Sequence, residues 1–171
     1  MIIKWAGICF IMAASLCWGF IMGSRDRYRM RDLNQLKSAF LVLKAEIDFG
    51  LNQLKEAMEA AGNKINKPVS DIFINFSRNI EDSKATPNAV WLKALESVTG
   101  AGLSNEDLEA LKDFGRALGF LDKSMQINNI EAQIHYIDEK LLELKESSAK
   151  NFKLYNSLGL LCGLMAVVIL L

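Results

Sequence analysis

Two stretches of this chain carry no charged side chain, and they stand at its two ends. Trp5 to Gly23 is nineteen residues long and Asn156 to Leu171 is sixteen. Of Lys+Arg 20 and Asp+Glu 20, only Lys4 lies outside Ser24 to Tyr155, which leaves 19 basic residues (20 minus Lys4) against 20 acidic ones in that interval. Crossing ~30 Å of hydrocarbon takes about 20 helical residues at ~1.5 Å each. The first stretch meets that length, and the second meets it when Leu154 and Tyr155 extend it and the terminus lies among headgroups. The expected organisation is an N-terminal transmembrane helix over 1–23, a cytoplasmic helical-bundle domain over 24–155 and a C-terminal transmembrane helix over 156–171. A buried core helix is the alternative for "NSLGLLCGLMAVVILL", but such helices carry a polar stripe that this one lacks.

A cleaved signal peptide is the other reading of the N-terminal stretch. "IMGSRDRYRMR" offers no small-x-small cleavage site and runs into basic residues, and Cys17 follows Leu16 where a lipoprotein signal needs a small residue. Orientation comes from the flanks. Arg25, Arg27, Arg29 and Arg31 follow the first stretch and Lys145, Lys150 and Lys153 precede the second, so the positive-inside rule places the domain in the cytoplasm and both termini on the far side. Cys9, Cys17 and Cys162 all fall inside the two apolar stretches, and no disulfide framework or zinc spacing exists. A formal net charge of +0 gives no reason to expect nucleic acid.

The middle reads as helix almost throughout, because alternating β-branched runs are missing and turn residues punctuate helical periods. From Met30 to Phe49, the residues Leu33, Leu36, Phe40, Leu43 and Ile47 recur at three- and four-residue steps. After Gly50, "LNQLKEAMEAAG" resumes with Leu51, Leu54 and Met58, and Gly62 is expected to end that helix. Pro68 and Pro87 open the next two helices, faced by Ile72, Phe73, Phe76 and Ile80, then by Val90, Trp91, Leu95 and Val98. Thr86 is the expected cap of the second. Ser104 and Asp107 form a capping box for "NEDLEALKDFGRAL". The fold class is all-α, a bundle of about six helices.

From Asp122 there is no glycine or proline until Gly159, and Ile127, Ile130, Ile134, Ile137, Leu141 and Leu144 form a short heptad seam. Its expected partner is the long helix Met30 to Phe49 of the same chain. A coiled-coil homodimer is the competing use.

No catalytic or metal constellation stands out. The one histidine, His135, has Asp138 one turn on, a pair far more often found as solvated surface than as a base, and there is no P-loop, G-x-G-x-x-G or G-x-S-x-G. No enzyme activity, cofactor or small-molecule substrate is expected. One segment exceeds its structural explanation: "FGRALGFLDKSMQ" sets Gly115 and Gly119 four apart, then Asp122 and Gln126 at the same spacing. A C-cap at Gly119, an N-cap at Asp122 and a close helix contact at Gly115 leave Gln126 unexplained. With Leu118, these five are the candidate partner-binding residues. Gly19 with Gly23 and Gly159 with Gly163 form two G-x-x-x-G pairs, candidate faces for packing or self-association of the membrane helices.

In order and spacing, "RMRDLNQLKSAFLVLKAEIDFG", the "LKEA" after it, Leu118, Gly119, Asp122 and Gln126, and the ending "SLGLLCGLMAVVILL" resemble the stage III sporulation protein AB family of endospore-forming bacteria, over essentially the whole chain. The resemblance implies a component of the sporulation apparatus between mother cell and forespore, in the outer forespore membrane with its domain in the mother-cell cytoplasm. It implies a helical domain similar to that of the platform proteins of type II secretion and type IV pilus machines. It also implies a partner ATPase, stage III sporulation protein AA, with other components of the same complex and membrane lipids. Typical platform proteins have two such domains and three membrane helices, against one and two here. Where the family has a glycine, two residues, then proline and leucine after the first long helix, this chain has Gly50, Leu51 and Asn52 followed by Gln53 and Leu54, which is expected to straighten the entry into the second helix. Two functions compete: a non-enzymatic platform docking an ATPase, and a membrane-anchored scaffold that dimerises through the Ile127 to Leu144 seam without a motor.

Overall fold

The periodicity read from the sequence is realised as helix wherever the chain is described. The computed structural model describes the backbone of residues 2–49, 53–81, 85–118 and 122–170, and the side chains of 26–49, 53–81, 85–118 and 122–147. Within these residues there are six α-helices and no strand: α1 (Ile2–Phe49), α2 (Leu54–Lys64), α3 (Val69–Asn79), α4 (Pro87–Glu96), α5 (Asn105–Arg116) and α6 (Lys123–Leu170). Arg29–Leu141 forms one compact unit, and residues 1–28 with 142–171 form a second. Among the described residues no helix is long and apolar enough to cross a membrane. The two uncharged stretches, with the three cysteines and the pairs Gly19/Gly23 and Gly159/Gly163, lie outside the residues whose side chains are described.

In the Arg29–Leu141 unit, α1 buries Leu33, Leu36, Ala39, Phe40 and Leu43, the stripe that three- and four-residue spacing puts on one face. From α6, Ile130, Ile137 and Leu141 are buried, while Ile127 and Ile134 are half-buried. Lys37 pairs with Asp138 and Lys44 with Glu131, each at 2.6 Å. Seven residues forward on α1 correspond to seven back on α6, so the two run antiparallel. The buried seam residues of this unit are therefore covered within a single chain, which removes most of the apolar surface a coiled-coil dimer would use.

The centre of the unit is aromatic. Trp91 of α4 meets Phe73, Phe76 and Phe114 edge-on, with centroids 5.6, 5.9 and 5.3 Å away, and Phe40 meets Phe73 and Phe114 at 5.9 and 4.9 Å. Edge-to-face contact suits the ring quadrupoles and adds to the burial of the indole and the four fully enclosed phenyl rings. The Trp91 Nε1–H donates to the Leu111 carbonyl oxygen at 2.7 Å, so the one polar atom of the cluster is satisfied.

Several local expectations need correction. Gly62 does not end α2; the helix continues to Lys64, and Gly62 is buried against α3. A Cβ there would lie 2.7 Å from Ile74 Cδ1 and 3.1 Å from Phe73 Cβ, so the glycine serves close approach of α2 and α3. Gly62→Ala is expected to cost about 1 kcal/mol or less in denaturant unfolding, because the half-buried Ile74 end can swing aside and alanine returns ~1 kcal/mol of helix propensity. Pro68 precedes the first residue of α3 rather than being it, and Val98 lies beyond the end of α4. Of the Gly50 to Gln53 corner, only Gln53 lies among the described residues. It stands outside α2 in extended backbone with φ −66°, the value a proline ring would itself impose. Thr86 and Ser104 cap α4 and α5 as expected, Pro87 is the first residue of α4, and the reciprocal Ser104–Asp107 capping box is complete.

Candidate functional site

The candidate corner begins where α5 ends. Gly115 is buried, and a Cβ on it would lie 2.2 Å from Trp91 Cδ1, so its lack of a side chain is what lets α5 lie on the indole. Leu118 is also buried, with its N–H donating to the Gly115 carbonyl at 3.1 Å. These two residues thus support the corner from behind rather than offering surface. Gly119 lies outside the described residues.

Asp122 is exposed and stands just before α6, which begins at Lys123. Its Oδ1 accepts from the Met125 N–H at 2.8 Å and from the Ser124 hydroxyl at 3.0 Å, the side-chain capping expected at a helix N-terminus. Those donors, the Met125 N–H first, hold its carboxyl below the usual aspartate value. Gln126 is half-buried and faces a shallow apolar recess shared with Leu43, Ile47, Leu54, Leu118 and Ile130. Asn129, one turn on, donates from Nδ2 to the Phe114 carbonyl at 3.3 Å and fastens α6 to the end of α5. The structure thus brings Leu118 and Gln126 together, and leaves Asp122 as the fully exposed member.

Sequence reading missed a second site, behind the α5 N-terminus. Asp107, 1% exposed, accepts from Arg29 through two parallel bonds of 2.8 Å, from the Ser104 N–H at 2.8 Å and from the Tyr136 hydroxyl at 3.2 Å. One carboxylate thereby holds α1, α5 and α6. Nearby, Asp32 of α1 accepts from the Gly102 N–H at 2.7 Å and from Arg31 at 2.8 Å, and Lys140 of α6 pairs with Glu106 at 2.8 Å. Arg29, which the sequence suggests only as a marker of orientation, is therefore also a fold contact. The capping box was legible as S-x-x-D, but Arg29 stands 78 residues away and nothing local marks it.

His135 is 78% exposed and stands 3.4 Å from Glu139, while Asp138 is engaged by Lys37. Among the described residues no group of histidine, cysteine and carboxylate side chains is placed to hold a metal.

A family model for stage III sporulation protein AB matches residues 4–171. The chain belongs to the stage III sporulation protein AB family. Stage III sporulation protein AB of Bacillus subtilis (strain 168) is 30% identical over 170 residues, covering 99% of each chain. A solved structure of stage III sporulation protein AB is 26% identical and aligns with a TM-score of 0.65 over 71% of this chain and 97% of that one. The family is a sporulation family with an all-helical fold, and its members are the setting in which the corner and the Asp107 cluster have to be understood.

Proposed function

We propose that this chain is a non-enzymatic platform of a secretion-like sporulation complex, rooted in the outer forespore membrane and docking the stage III sporulation protein AA ATPase in the mother-cell cytoplasm. Its domain spans 24–155, and 1–23 and 156–171 are the membrane helices, packed or self-associated through Gly19, Gly23, Gly159 and Gly163 with both termini on the far side. The observation that carries the reading is that the family match runs from residue 4 to residue 171 and so takes in both uncharged ends with the charged middle. A bundle reaching a membrane at each end is suited to holding a motor beside a channel. The docking corner is that of Gly115, Leu118, Gly119, Asp122 and Gln126, with the first two as its buried support.

The test is capture of the ATPase by the tagged full-length chain from detergent-solubilised sporulating cells. Asp122→Asn keeps an oxygen for the Met125 N–H while removing the charge, and Gln126→Arg fills the recess; together they are expected to lower capture about tenfold. Unaltered capture by both variants would remove the docking role from this corner. Failure of the natural chain to capture any ATPase, together with a stable dimer, would favour the scaffold.

A further inference from the structure

Among the described residues, the tip of the bundle, where α1 ends and α6 begins, exposes large apolar side chains. Phe49 is 90% exposed and Met125 is 52% exposed. They belong to one surface, because the Lys123 ammonium donates to the Asp48 carbonyl oxygen at 2.5 Å and so ties the two helix ends together. Around them stand the carboxylates of Asp48 and Asp122, both exposed. Among the described residues of the tip, these two face one ammonium, that of Lys123, which donates to a carbonyl, while Lys44 one turn back on α1 is engaged by Glu131.

We infer that this tip, Phe49 and Met125 with Asp48 and Asp122 beside them, is a docking surface for a partner-protein segment that presents apolar side chains next to a basic one. The charges select among occupants. An anionic lipid surface would be repelled by the two carboxylates. A second copy meeting tip to tip in a two-fold interface would set like carboxylates against each other. A partner segment with a lysine or arginine satisfies both the apolar and the acidic part, and charge complementarity then speeds encounter and fixes register. The inference rests on the platform reading and extends its docking corner from α6 onto the end of α1.

The test measures binding of the purified ATPase to the full-length chain in nanodiscs. Phe49→Asp and Met125→Asp are each expected to weaken binding about tenfold, as loss of an interface anchor does. Asp48→Lys is expected to weaken it less and to flatten its dependence on salt. His135→Ala, an exposed change elsewhere on α6, is the control and leaves it unchanged. Natural affinity in both apolar variants, with the natural chain binding the ATPase, would overturn this surface while leaving the platform reading in place. So would a Phe49-dependent association with phosphatidylglycerol vesicles or with a second copy instead. No binding by the natural chain would overturn the platform reading, and this surface with it.

Discussion

Gly115→Ala is expected to destabilise the bundle by about 3 kcal/mol, well beyond the effect of the chemically identical change at Gly62. Both glycines lie inside helices, where each sacrifices ~1 kcal/mol relative to alanine, so each must be retained for space. The spaces differ in what surrounds them. At Gly62 the nearest atoms are the terminal carbons of Ile74, on a half-buried side chain that can rotate outward. At Gly115 a Cβ would lie 2.2 Å from Trp91 Cδ1 and 3.0 Å from its Cγ. The indole cannot retreat, since Phe73, Phe76 and Phe114 enclose it and its N–H is held by the Leu111 carbonyl. Helix α5 must then lift away, and overpacking in a dense core costs ~1–3 kcal/mol or more. Equilibrium unfolding in urea measures the loss. The companion change Trp91→Ala removes the clashing ring atoms, so the double variant is expected to be more stable than the sum of the two single losses implies. Strict additivity would mean that the strain lies elsewhere.

The part of the fold readable in the sequence is the part governed by local rules. Leu33, Leu36, Phe40 and Leu43 announce the buried face of α1 by spacing alone, and Thr86, Pro87 and Ser104 announce the starts of α4 and α5 by capping chemistry. Gly62 misleads because glycine has two uses in helices. Its neighbours in sequence cannot show whether it ends a turn or admits another helix, and that answer depends on Ile74 and Phe73 across the contact. Gly100, with φ +83°, is the case where the backbone itself requires glycine. The corner was visible as a spacing, yet burial, which spacing does not encode, separates the supporting Gly115 and Leu118 from the exposed Asp122. The Arg29–Asp107 contact was invisible for a related reason: an arginine among other arginines following an apolar stretch already has an adequate explanation in membrane orientation.

That contact carries the other large expected effect. Asp107→Asn should cost about 3 kcal/mol, because it leaves Arg29 without its charged partner, weakens the α5 cap and breaks a tie among three helices. Tyr136→Phe removes only one neutral donor and should cost about 1 kcal/mol. The dependence on pH separates this arrangement from an ordinary loss of stability. Burial by itself would raise the Asp107 pKa, but the Arg29 bonds and the Ser104 donors outweigh it, and the carboxyl lies below its usual value. A carboxyl lowered in the folded state contributes its full stabilisation above about pH 4 and loses it as the pH falls further. The difference between the natural chain and Asp107→Asn should therefore be level across neutral pH and shrink only in acid. Tyr136 behaves oppositely: burial first, then the Asp107 charge, pushes its hydroxyl up to about 12. Its contribution is complete below about pH 10 and is lost as the pH rises towards the folded value, so the Tyr136→Phe difference should change only in alkali. Urea unfolding of the three proteins across pH measures both curves. A difference that titrated between about pH 5 and 8, where neither group changes charge, would mean that another ionisable group holds α1, α5 and α6 together, and the role given to Asp107 would have to pass to it.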